Sequence, residues 1–258
     1  MNVREGITNR AAHQIAAAGV VVFLGAWFLI TSLPHPLVPH SILPTPIEVL
    51  KAFPALHFQE ALVRSALASL YRVLAGFALA AAVAIPLGIL MGTFPPVKHI
   101  FSPVVDPLRF LPISALVPLT IVWFGIEDLQ KIVFLFMGIV VYLLPLVVEA
   151  VERVDDVYVQ TAATLGASRW QMVRHVLIPG SLPSIGEALR VMNGIGWTYV
   201  ILAEVINAPN GLGHLIMVSQ RYGRIDRMFA LVIVILVIGV ITDQIIRIAN
   251  ARLFRWTE

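Results

Sequence analysis

Apolar runs as long as a bilayer's hydrocarbon layer is thick constrain this chain more than any other feature. A helix crossing that layer needs about 20 mostly apolar residues, since the layer is about 30 Å thick. Six such runs occur, at 15–33, 73–96, 106–126, 132–150, 186–206 and 228–247. Charge usage agrees: 13% of residues are charged, where a soluble domain is nearer about a quarter. The fold class is therefore an all-α membrane protein with about six transmembrane helices. Arg4 and Arg10 precede the first run, as in a signal peptide. However, Ile15 to Leu33 is long for such a core and no clean A-x-A site follows, so it reads as a retained helix. The formal charge of +3 and pI near 9.5 fit basic cytoplasmic loops better than a nucleic-acid partner. Cysteine is absent, which excludes disulfide and thiol chemistry.

Lys and Arg set the orientation. With both termini cytoplasmic, the inner side holds Arg4, Arg10, Lys98, Arg153, Arg169, Arg174, Arg252 and Arg255. Arg221, Arg224 and Arg227 then fall outside, against the rule, unless GLGHLIMVSQRYG folds back into the protein. Residues 34–60, beginning PHPLVPHSILPTP, read as an irregular external connection with a short amphipathic piece from Pro46 to Phe53. Arg64 and Arg72 are expected to snorkel from the outer end of the second span. The third span and its entry carry Pro103, Pro107, Pro112 and Pro118. Each removes a backbone donor, which predicts a broken segment kept internal, away from lipid.

Between the fourth and fifth runs lies the one long polar interruption, residues 155–183. Asp155 or Asp156 caps a first helix, and Gly166 suits the left-handed residue that ends it. Ser168 with Gln171 three positions on forms a capping box for a second helix. Trp170, Val173 and Leu177 share a face of that helix, flanked by Arg169 and Arg174. Pro179 is expected to stop it and Pro183 to open the next span. A surface connector is one reading. A helix laid in a partner's groove is the other, because an apolar ridge beside positive charge has that form.

The segment resembles the EAA loop of ABC-importer permeases. Gly166-Ala167-Ser168 matches the loop's centre and Val176-Leu177-Ile178-Pro179 its end, with Ile178 where Leu is usual. Gln160-Thr161-Ala162 stands where the family has Glu-Ala-Ala. SLYRVLAGFALAAAVAIPLGILMG, DPLRFLPISALVPLTIVWFGI and ILAEVINAPNGLG are similar to permeases for nitrate, bicarbonate, taurine and aliphatic sulfonates. The resemblance runs over roughly 60–256. It implies a type I importer, with the MetI-like permease fold and a cytoplasmic coupling helix hairpin. Residues 1–60 would be a tail, first span and external loop, and 61–258 the core permease domain. The implied partners are ABC ATPase subunits, a periplasmic or lipid-anchored solute-binding protein and a second permease copy, in the bacterial inner membrane. The chain carries no G-x-x-x-x-G-K-[ST], so ATP and Mg are expected on the partner ATPase, with no cofactor on this chain and no enzyme activity of its own. The implied coupling residues are Gln160, Ala162, Gly166, Ala167, Ser168, Arg169, Trp170, Arg174, Pro179 and Pro183.

Polar groups inside the membrane mark function by default. Asn193, Trp197, Ile201 and Glu204 share one face of the fifth span, with Thr198 beside them. That face either lines the translocation path or hydrogen-bonds the bundle together. Gly194 and Gly196 allow close helix approach. Arg109 suits an oxyanion or anchors the third span. Glu187 and Arg190 are spaced to pair, and Asp243 and Arg247 read as interfacial. The seven histidines, among them His35 and His40, show no metal spacing, and no catalytic set is evident. The competing class is an ATP-independent secondary transporter or channel, which needs inverted repeats or membrane charge relays. Neither is seen.

Overall fold

The computed structural model describes residues 8–33, 38–206 and 208–254. Arg4, His35, Arg255 and the 34–37 part of the Pro-rich connection lie outside them. Among the described residues all regular structure is helical. The α-helices are α1 (Asn9–Ser32), α2 (Pro46–Phe58), α3 (Leu62–Thr93), α4 (Pro95–Leu108), α5 (Val117–Phe124) and α6 (Asp128–Glu152), then α7 (Asp156–Thr164), α8 (Arg169–Met172), α9 (Ile178–Val205), α10 (Leu212–Arg221) and α11 (Ile225–Leu253). Two compact units result: Met1–Leu62 with Leu215–Ile233, and Val63–His214 with Val234–Glu258.

Among the described residues four helices are long and apolar enough to cross a membrane: Arg10–Ser32, Leu62–Thr93, Asp128–Glu152 and Ile225–Leu253. A bent pair, Pro95–Leu108 with Ile113–Phe124, makes a fifth span broken by 89°. α9 is long enough at 28 residues, but Arg190, Asn193 and Glu204 make it less apolar.

The prolines explain the break. Pro112 precedes a short 3-10 turn, Ile113–Leu116, and Pro118 sits in the first turn of α5, where its missing N–H costs nothing. Within this chain the stretch is only partly buried. α4 has no buried residue, and Val122 of α5 is 79% exposed. Only Ile113, Val117 and Thr120 of this stretch are buried, the first two with Phe134 and Ala203. The rest of the stretch gets no cover from this chain.

Glycines set the packing of the second unit. A Cβ on Gly76 would stand 2.5 Å from Leu135 Cβ, one on Gly88 2.6 Å from Val147, and one on Gly92 2.7 Å from Val151. The partner is 59 positions on each time, so α3 and α6 run parallel with their backbones in close approach. α9 runs antiparallel to α6: Gly180 faces Val154, Gly196 faces Ile139, and Gly138 faces Tyr199. Ile139, Leu143 and Val147 of α6 meet Ile185, Ala188 and Met192 of α9 in the core. Gly194, expected at a close approach, faces open space.

GLGHLIMVSQRYG forms α10, which at 10 residues is about 15 Å long and too short to span. Two of the three arginines that break the charge rule are in ion pairs. Arg224 meets Asp226 at 2.8 Å, and Arg227 meets Glu60.

Overpacking a dense core costs about 1–3 kcal/mol. Gly88→Leu is expected to lower the unfolding temperature in detergent, with Gly25→Leu, which points into open space, leaving it nearly unchanged. Equal melting of the two would refute the close approach.

Candidate functional site

The polar interruption is a helical hairpin in which every end is capped. Asp155 accepts from the Val157 N–H at 2.9 Å and starts α7. At the other end Gly166 has φ +81°. Its N–H donates to Ala163 O, and that of Ala167 to Ala162 O, each at 3.0 Å. Those are the two bonds of a Schellman cap, which needs a left-handed residue. Ser168 N donates to Gln171 Oε1 at 2.8 Å and Gln171 N to Ser168 Oγ at 3.4 Å, completing the capping box.

Pro179 does not stop the second helix. α8 passes through a π turn, Val173–Leu177, straight into α9. The Ile178 N–H reaches back five residues to Val173 O. The extra residue takes up the clash and missing donor that Pro179 brings. Pro183 likewise lies within α9.

The apolar ridge is also divided. Trp170 is 68% exposed, whereas Val173 is buried. Val173, Leu177 and Arg169 line a cleft of about 550 Å³ with Thr93–Val97 and Val159. A second cleft, of about 670 Å³, lies between α7 and the start of α9, with Tyr158, Ala162, Leu165, His175 and Pro179 on its walls. Val157, Tyr158 and Leu165 are exposed with Trp170, so four large apolar side chains face outward from a polar hairpin. Gln160, Gly166, Ser168, Arg169 and Arg174 are exposed around them, and Ala162, Ala167 and Pro179 are half-buried.

Of the α9 residues singled out from sequence, Asn193, Trp197 and Glu204 face inward. Asn193 Nδ2 and Trp197 Nε1 both donate to Thr242 Oγ1 of α11, at 3.0 and 3.1 Å. The Thr242 hydroxyl donates in turn to Gly239 O at 2.9 Å. Thr198 is exposed and donates to Gly194 O within its own helix. The open face of α9 holds Glu187, Val191, Gly194 and Thr198. Arg190 is forked onto Asp243 through Nε at 2.7 Å and Nη2 at 3.2 Å, and it also reaches Glu187. Arg109 is exposed at the end of α4, its guanidinium 5.3 Å from the Phe110 ring centroid.

Sequence reasoning missed the densest polar cluster. Arg72 does not snorkel; it has no exposed surface. Its Nη1 donates to Glu204 Oε1 at 2.7 Å and Asn210 O at 2.9 Å. Its Nη2 donates to Asp128 Oδ1 at 2.6 Å and Asn210 Oδ1 at 2.5 Å. Glu204, also fully buried, accepts from Ser69 Oγ at 2.8 Å and Gly213 N at 2.9 Å. Gly211, at φ +119°, lies against the Glu204 carboxylate, where a Cβ has no room. A buried Lys131 donates to the Ile126 and Glu127 carbonyls beside this cluster. The clue in the sequence was NGLG close after an intramembrane Glu, two glycines packed round one carboxylate.

This cluster closes one end of α3, α6 and α9. The hairpin is at the other end of α6, 25 residues away, or about 37 Å. Among the described residues no three His, Asp or Glu side chains are grouped as a metal site.

The family model described as "Binding-protein-dependent transport system inner membrane component" matches residues 84–255. A probable ABC transporter permease of Brucella abortus (strain 2308) is 33% identical over 237 residues, covering 92% of this chain and 93% of that protein. The taurine transport system permease TauC of Escherichia coli K12 is 32% identical over 242 residues, covering 92% and 87%. An inward-facing structure of the MetNI methionine ABC transporter superposes with TM-score 0.62 at 23% identity, over 78% of this chain and 97% of that one.

Removing one partner of a buried ion pair costs about 3–5 kcal/mol, while replacing both with apolar groups is often neutral. Arg72→Met or Glu204→Leu alone is therefore expected to lower thermal stability in detergent sharply, and the double variant to recover most of it. A double variant as unstable as the sum of the singles would show that the two charges do not act as a pair.

Proposed function

This chain belongs to the binding-protein-dependent transport system inner membrane component family, and we propose on that premise how it couples to its energy source and what it carries. It is a multi-pass membrane permease subunit of an ABC importer. ATP hydrolysis, with its Mg, belongs to separate ATPase subunits that dock on residues 155–183. Gln160, Gly166, Ser168, Arg169, Trp170 and Arg174 present the docking surface, while Ala162, Ala167, Pro179 and Pro183 fix its shape. The supporting observation is the hairpin itself. It holds Tyr158, Leu165 and Trp170 outward between two capped ends. Apolar anchors held rigid lose little entropy on binding and transmit displacement.

The carried solute is small and anionic, of the nitrate, bicarbonate, taurine or aliphatic sulfonate class. It is delivered by a periplasmic or lipid-anchored binding protein. The likeness to the taurine permease supports this class. Two copies of the chain pair in the bacterial inner membrane, with termini in the cytoplasm. The solute passes along the open α9 face at Thr198, while Asn193, Trp197 and Glu204 hold that helix against its neighbours. Arg109 stands where the broken span bends.

Mild-detergent pull-down of the tagged chain, followed by mass spectrometry, tests the coupling. A P-loop ATPase is expected with the native chain. Gly166→Val places a β-branched residue at positive φ, at a strain cost of about 1–3 kcal/mol, and Trp170→Ala removes an anchor. Each is expected to reduce the ATPase recovered while the chain stays folded in the membrane. Native-level recovery with both variants would remove the hairpin from the interface. Absence of any ATPase would favour an ATP-independent transporter.

A further inference from the structure

One groove in the first compact unit is wholly apolar, and residues adjoining two of its walls line a charged cavity. It holds about 410 Å³ and is walled by Phe23, Trp27 and Ile30 of α1, Leu43, and Phe229 and Ile233 of α11. That volume is within the range of about 300–1,000 Å³ usual for ligand pockets. Both helices are long and apolar enough to cross the bilayer, so the medium that meets this groove is hydrocarbon. Trp27 stacks toward Phe229 at 6.0 Å and donates its indole N–H to Pro44 O at 3.0 Å. A tryptophan used in this way, ring in the apolar part and N–H at the polar edge, marks the membrane interface.

The polar end begins at the adjoining residues. Pro44 follows Leu43, and Ile225 stands one turn before Phe229. These two help line a second cavity of about 200 Å³ with His40, Glu48, Arg224 and Asp226. Two carboxylates there face one guanidinium and one imidazole. Arg224 uses Nε and Nη2 on Asp226 at 3.0 and 2.8 Å, and its Nη1 is outside that fork. Glu48 accepts from Thr45 N at 2.7 Å and pairs with His40 at 3.1 Å. The Thr45 N–H holds the Glu48 carboxyl below its ordinary range, keeping it ionised. Each carboxylate has more lone pairs than these bonds occupy. A headgroup of negative charge alone would meet two carboxylates. One with a phosphate and a primary ammonium finds Nη1 of Arg224 for the first, and Glu48 and Asp226 for the second.

We propose that this site binds one phospholipid with an ethanolamine-type head, an acyl chain in the apolar groove and the zwitterionic head between Arg224, Glu48 and Asp226. The lipid joins α1 to the start of α11 beside the Trp27–Phe229 contact.

The full-length protein, with the subunits that co-purify, is extracted in mild detergent from membranes holding both ethanolamine and glycerol phospholipids. Retained lipid is read by native mass spectrometry and by lipid chromatography. The native chain is expected to keep ethanolamine lipid over glycerol lipid by about tenfold, the worth of one charge-assisted hydrogen bond. Ala26→Trp, which fills the groove, is expected to lose it. Val21→Trp, equally large on an exposed position of α1 outside the groove, is expected to keep it. Glu48→Gln is expected to keep a lipid and lose the head preference. Equal retention by Ala26→Trp and the native chain would overturn the proposal, as would equal retention of the two head classes. The chain has no cysteine, so Ala26→Cys can be oxidised cleanly. Efficient cross-linking of two copies through it without bound lipid would give the groove to a second chain and also overturn the proposal.

Discussion

A guanidinium with no exposed surface governs the end of the bundle away from the hairpin. Arg72 leaves water only because Glu204, Asp128 and Asn210 together take up its donors. Glu204 in turn needs Ser69 and the Gly213 N–H. Charges in hydrocarbon are costly unless fully paired, so α3, α6, α9 and the chain leading to α10 hold one mutual geometry there. Gly211 and Gly213 follow from this, since a side chain at the first would occupy the space of the carboxylate and one at the second would meet Glu204 Cβ and the Ile201 backbone. The parallel approach of α3 and α6 through three glycines carries the same register along both helices.

The hairpin end is built on a different principle. It has few buried contacts and many satisfied backbone ends. Its Schellman turn, capping box and aspartate cap fix a shape without a core beneath it. Such a surface is stiff yet accessible, which suits the docking role proposed for it. The two ends of this unit therefore divide the work, one held by buried charge, the other by local caps.

Local chemistry was legible in the sequence, and distant pairing was not. The Gly166 turn and the Ser168–Gln171 box follow from spacing of a few residues. The break in the third span follows from its prolines. Arg72 read as a snorkelling side chain because its partner Glu204 is 132 positions away and only the fold brings them together. Asn193 and Trp197 were polar residues on an apolar helix with two open readings, and the Thr242 hydroxyl that takes both is on another span. The π turn went unseen for another reason. A proline normally ends a helix, and nothing nearby signals that one inserted residue will carry the helix through it.

That turn has a mechanical consequence. From Arg169 to Val205 the backbone is one uninterrupted rod, about 55 Å long. One end projects from the hairpin and the other is clamped at Glu204. Along its middle the rod rests on α6, which serves as a fulcrum. A tilt of about 5° about that fulcrum moves each end of the rod by about 2.4 Å if the rod does not flex. A fulcrum there reverses the sense of a displacement, so on the proposed docking a push at the hairpin would draw the Glu204 end the opposite way.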